Sequence, residues 1–122
     1  MGQPETQGTH MNAKARTARR TIRQRTRTQR AASRINRTGT GTLATHCIAA
    51  GLGVKEARTV AGSLRKNTTK ANVTGTPGIS YTKGRARQCT RYSPAEVAAI
   101  AVIYRPRKPA YKAAAAKLAL AA

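Results

Sequence analysis

Apolar positions recur at helical spacing in two short runs near the middle of the chain. Leu43, Cys47, Ile48 and Ala50 form the first run, and Val54, Ala57, Val60, Ala61 and Leu64 form the second. Between them lies Ala50-Gly51-Leu52-Gly53, so residues 43–67 are expected to form two short helices hinged at glycine. Projected at about 100° per residue, Ala57, Val60, Ala61 and Leu64 gather on one side of the second helix. Lys55, Arg58, Thr59, Gly62 and Lys66 fall on the opposite arc, which gives one helix a core face and a basic, hydrogen-bonding face. Thr40 or Thr42 supplies the N-cap of the first helix.

Downstream, the pattern changes twice. Residues 68–78 have the composition of a loop, with Gly75, Pro77 and Gly78 forbidding a continued helix. From Ile79 to Tyr92 the period shortens to two on either side of Lys83-Gly84, which predicts a β-hairpin turning at that pair. Ser93-Pro94-Ala95-Glu96 then combines a Ser N-cap, a Pro at the first helical position and a Glu two further on, a capping box that starts a helix at Pro94. Its apolar stripe is Val97, Ile100, Ala101 and Tyr104, and Arg105-Pro106 stops it. The Ala-rich tail, 110–122, is helix-prone and apolar enough to pack on the domain or on a second copy.

Upstream, charge replaces hydrophobicity as the organising pattern. Residues 1–11 are polar and without periodicity and are expected to be a disordered leader, ending in His10-Met11 like a vector-derived junction. Residues 12–41 form an Arg-rich arm with no acid. Arg16, Arg20, Arg23, Arg27, Arg30, Arg34 and Arg37 alternate in steps of four and three, which would line them along one helical stripe. Like-charge repulsion predicts that this arm is disordered alone and becomes at least partly helical on a polyanion. An extended arm lying in a minor groove is the rival reading. Met1-Gly2 with Thr6 fits a short acylation pattern and 12–38 have transit-peptide composition, but Pro4-Glu5 and the missing apolar face favour neither.

The two-helix stretch resembles the helix-turn-helix. The resemblance is carried by small Cys47 in the first helix, Gly51 in the turn, apolar Leu52 after it, small Ala57 early in the second helix and aliphatic Val60 near its middle. Gly53, where the family favours a capping Ser or Thr, and Gly62, inside the second helix, depart from the pattern. A basic hairpin after such a pair is similar to the wing of winged-helix proteins. The implied fold is mainly α with a small β-hairpin, winged-helix-like over 42–105, with the arm before it and an Ala/Lys-rich helical tail over 106–122. The resemblance implies that Lys55, Arg58, Thr59, Ser63 and Lys66 face the major groove of DNA. Lys83, Arg85 and Arg87 near the hairpin tip, with the seven arm arginines, would then hold phosphates.

Composition narrows the function classes. The 122 residues carry 24 Lys+Arg against 3 Asp+Glu, a formal charge of +21, so the chain cannot neutralise itself and is suited to a polyanion. Phe and Trp are absent, so the core is small and aliphatic. Glu96 is accounted for as a cap and Glu56 as a favourable charge at a helix N-terminus. His46 lies on a predicted apolar helix, and no constellation for acid–base catalysis remains. Cys47 and Cys89 lack zinc spacing; they read as a core residue and a strand residue, with a disulfide between them only if the chain is exported. No cofactor, metal or membrane is implied. The leading expectation is a DNA-binding regulator of bacterial or phage type, acting in the cytoplasm or at the nucleoid. An RNA-binding or ribosome-associated protein and a sequence-independent packaging protein are the alternatives. A homodimer is compatible with the first.

Overall fold

A computed structural model of the chain describes residues 4–120, and residues 1–3 of the expected leader lie outside them. Five helices and one hairpin follow in the order α1 Pro4–Thr38, α2 Leu43–Ala49, α3 Val54–Lys66, β1 Thr76–Thr82, β2 Arg85–Arg91, α4 Pro94–Ile103 and α5 Pro109–Leu120. The mainly α architecture with a two-stranded sheet is therefore as expected.

α1 runs as one helix of 35 residues from Pro4 to Thr38, over the stretch where a disordered leader and an arm turning helical on a polyanion were expected. Four of its threonines are accommodated by bonding backwards: the hydroxyls of Thr17, Thr21, Thr26 and Thr38 donate to the carbonyls of Ala13, Thr17, Ile22 and Arg34 at 2.8–3.0 Å. Its second half is held by a seam that the charge pattern hides. Gln24, Thr28, Ala31 and Ile35 recur at steps of four and three; Ala31 and Ile35 are buried, and Gln24 and Thr28 half-buried. Gln24 Nε2 donates to the Leu52 carbonyl at 2.8 Å, docking α1 on the turn between α2 and α3. Residues 12–23, by contrast, stand clear of the body, all exposed apart from half-buried Ala15.

α2 and α3 form the expected hinged pair. The Thr42 hydroxyl accepts from the Thr45 amide at 3.2 Å as the N-cap of α2, and Gly51 turns the chain at φ 105°, a conformation that costs any other residue more. Ala57, Val60, Ala61 and Leu64 point into a core completed by Leu43, Cys47, Leu52, Tyr92, Val97, Ile100, Ala101, Ala114 and Leu118. The thiols of Cys47 and Cys89 are both free: Cys47 is a core residue whose burial pushes its thiol up to about 12, and Cys89 is half-buried on β2. α4 begins with the predicted capping box, with Ser93 Oγ accepting from the Glu96 amide at 3.3 Å and Glu96 Oε1 accepting from the Ser93 amide at 3.0 Å. The Ala-rich tail forms α5 and packs on the domain through Ala114, Ala115 and Leu118.

The hairpin is antiparallel with Thr82 opposite Arg85 and Thr76 opposite Arg91. Lys83 and Gly84 make its two-residue turn at φ 52° and 75°, the left-handed values of a type I′ turn. β1 starts at Thr76, inside the stretch expected to be a loop. Pro77 is tolerated because the strand lies at the edge of the sheet, and Gly78 because an added Cβ would come within 2.7 Å of the Arg91 side chain that lies over it. The root of β2 is pinned to the linker before α2: Gly41 and Tyr92 exchange backbone hydrogen bonds at 3.0 and 2.8 Å, and Arg91 donates to the Thr40 hydroxyl and carbonyl, each at 3.2 Å.

Candidate nucleic-acid interface

The basic side chains singled out by the sequence lie on three surfaces, each positioned by the folding of its own segment, while Arg105, Arg107, Lys108, Lys112 and Lys117 are exposed elsewhere, after α4 and on α5. The first is α1. Ala31 and Ile35 fix the rotation of the helix on α2, and the arginines sit one residue before the docked positions, about 100° around the helix. All seven, Arg16, Arg20, Arg23, Arg27, Arg30, Arg34 and Arg37, are exposed. From Arg16 to Arg37 the stripe is about 32 Å long, close to one turn of a duplex. Arg30, Arg34 and Arg37 share a shallow polar hollow with Thr26, Gln29 and Ser33, while Arg16 and Arg20 extend past the docked Gln24.

The second surface is the outer face of α3. Lys55, Arg58, Thr59 and Lys66 are exposed, opposite the buried Ala57, Val60, Ala61 and Leu64, as the wheel requires. Thr59 donates its hydroxyl proton back to the Lys55 carbonyl at 3.2 Å and keeps lone pairs free to accept. Ser63 is placed differently. It is half-buried, donates to the Thr59 carbonyl at 3.4 Å and lies beside the Tyr104 hydroxyl after α4, so it belongs to the flank of α3 rather than its exposed crest. Burial raises the Tyr104 hydroxyl above its ordinary value, and Ser63 partly offsets this.

The third surface is the hairpin. Lys83, Arg85 and Arg87 are exposed, with Lys83 in the turn and Arg85 and Arg87 on the same face of the ribbon as Cys89 and Arg91. The hairpin and the start of α2 border an open cleft of about 380 Å³, lined by Thr42, Ala44, Gln88, Thr90 and Tyr92 among others, with Arg65 of α3 also in its lining. Arg65 is a basic residue that the sequence reading missed. Its position on the wheel, between buried Leu64 and exposed Lys66 in the last turn of α3, was the available signal. Arg91, in contrast, is held by Thr40 and serves the linker.

His46 takes no part in these surfaces. It is buried, and its Nε2 lies 2.7 Å from the Tyr92 carbonyl, an arrangement in which the ring N–H donates and the histidine latches α2 to the root of the hairpin. Burial holds its pKa below the ordinary 6.5, and the nearby Arg91 charge adds to the depression against the opposing backbone hydrogen bonds. The unfolded chain therefore binds this proton more readily than the folded one. Stability from this group is fully present above pH 6.5 and declines as pH falls below it toward the depressed folded value. Urea midpoints are expected to drop between about pH 7.5 and 5, and His46→Gln is expected to flatten that dependence.

Among the described residues there is no group of three or more His, Cys, Asp and Glu side chains that could hold a metal ion, and no helix long and apolar enough to cross a membrane. At most three of the 24 cations can be neutralised by the chain's own carboxylates, and Glu96 is committed to its cap. No protein-family model matches this chain, and neither a curated protein nor a solved structure is significantly similar to it.

Proposed function

We propose that this protein binds duplex DNA, using α3 as the reading helix and α1 and the hairpin as phosphate clamps, in the manner of a small bacterial or phage regulator. The observation that carries the reading is the division of α3 into a buried face of Ala57, Val60, Ala61 and Leu64 and an exposed face of Lys55, Arg58, Thr59 and Lys66. A helix held by one face and polar on the other can enter a major groove and offer donors to base edges. The preceding turn at Gly51 and the basic hairpin that follows support a winged-helix-like arrangement. The seven arginines of the α1 stripe, with Arg19 and Arg25 also exposed beside them, support a second reading, a packaging protein held to any duplex by charge alone.

Selection of bound sites from random duplexes, followed by fluorescence anisotropy across a salt series, separates the two. For a regulator, a consensus emerges, and Arg58→Ala or Lys66→Ala costs about 1–3 kcal/mol on it while scarcely affecting scrambled DNA. For a packaging protein no consensus emerges, and the same substitutions weaken all duplexes equally. Tighter binding to structured RNA than to any DNA would refute both.

A further inference from the structure

The hairpin carries a feature that phosphate clamping does not use. β1, Thr76–Thr82, contains none of the chain's 24 Lys and Arg, whereas β2 carries Arg85, Arg87 and Arg91 over the same length. β1 is also an outer edge of the sheet. Exposed edges are ordinarily guarded by charge, and in a chain this basic a neutral edge is the exception. Two large side chains project from it uncovered: Ile79 is 58% exposed and Tyr81 is 76% exposed. The other three tyrosines belong to or pack against the core.

The turn determines which backbone groups the edge offers. In a two-residue type I′ hairpin the residues flanking the turn exchange hydrogen bonds, and bonded and non-bonded pairs then alternate down the ladder. Thr82–Arg85, Ser80–Arg87 and Gly78–Cys89 are thus the bonded pairs, and Ile79 and Tyr81 direct their N–H and C=O groups away from β2. Pro77, which has no N–H, falls at the next outward position and closes the open stretch.

We propose that β1 pairs with β1 of a second copy of this chain, antiparallel about a twofold axis through Ser80. In that register Ile79 of each copy lies opposite Tyr81 of the other, all outward groups of both residues are satisfied by about four hydrogen bonds, and two aliphatic–aromatic cross-strand pairs form on one face. The edge is self-complementary, and it places no like charge at the seam. A nucleic acid or acidic peptide, by contrast, would find no cation on this strand. The seam is short and each copy carries +21, so pairing is weak at low salt and strengthens as salt screens the repulsion, the reverse of phosphate binding.

The test is cross-linking without nucleic acid. Across the axis the two Ser80 Cα atoms would lie about 4.5 Å apart, within disulfide reach, whereas the two Thr76 would be about 26 Å apart. With Cys89→Ser as background and copper-phenanthroline as oxidant, Ser80→Cys is expected to form covalent dimer at least about tenfold faster than Thr76→Cys, increasingly so toward about 1 M salt. Ile79→Lys with Tyr81→Lys in the same background should remove that excess. Sedimentation of the unaltered chain at high salt should show concentration-dependent mass rising toward the dimer. Equal cross-linking at Ser80→Cys and Thr76→Cys, a yield that falls with salt, or a strictly monomeric unaltered chain overturns the proposal. Because no DNA is present, none of these outcomes depends on whether the chain reads DNA.

Discussion

Replacing Arg23, Arg27, Arg30 and Arg34 together by glutamine is expected to lower affinity for mixed-sequence duplex DNA by roughly a thousandfold at 0.15 M salt. The figure follows from counterion release: four lost phosphate contacts reduce the slope of log K against log salt by about 3.6. Extrapolated from about 1 M, where the electrostatic contribution vanishes, that slope amounts to about three decades. All four side chains are exposed on one stripe of α1, so their removal opens no cavity. Glutamine has nearly the helix propensity of arginine, and removing like charges at three- and four-residue spacing relieves repulsion within the helix. Circular dichroism should therefore show helix content retained or raised while binding falls. A salt slope unchanged by the quadruple substitution would show that α1 does not lie on phosphates.

Leu64→Ala acts on the other half of the molecule and is expected to cost about 3–5 kcal/mol of stability. Leu64 is completely buried, and many of its companions in the core are short: Ala57, Ala61, Ala101 and Ala114. Short side chains anchored to rigid helices cannot swing into the vacated space, which places the cost toward the upper end of the range for leucine truncation. Against a typical domain stability of about 5–15 kcal/mol, the loss should move the urea midpoint far toward zero. Binding should change in kind. Sequence discrimination, which requires α3 to be held, disappears, while salt-sensitive attachment through the arginines of α1 persists. Retention of a sharp urea transition near the unmodified midpoint would mean that the core closes around the gap.

What could be read in the sequence was what a few neighbouring residues decide. The α2–α3 pair with its two faces, the Lys83-Gly84 turn and the Ser93–Glu96 cap each rest on chemistry within one or two helical turns, and each is present. The docking of α1 was not legible. Its seam consists of Gln24, Thr28, Ala31 and Ile35, with only one large apolar side chain, and it lies one residue from the arginine stripe that dominates the pattern. The same limit applies to His46, whose partner is a carbonyl 46 residues away, and to Arg91, whose partner Thr40 is 51 residues away. Neither distance leaves a trace in local periodicity. At the site, the exposed crest of α3 was foreseen, but Ser63 was assigned to it and Arg65 was not. Both lie at the margin of the wheel, where burial is decided by Tyr104 and the hairpin rather than by α3 itself.

The docked seam of α1 ends at Gln24, which makes the helix before it a phased element. Beyond it, residues 12–23 are tied to the body only through the helix itself, so their azimuth is inherited turn by turn from Gln24. One residue inserted between Arg23 and Gln24 would rotate Arg16 and Arg20 by about 100° away from Arg27, Arg30 and Arg34, whereas seven inserted residues, close to two full turns, would nearly restore alignment. Length variation in this segment is thus constrained by angle rather than by reach. Related chains that keep a continuous stripe should differ here by near-whole numbers of helical turns, about seven or eleven residues, or not at all.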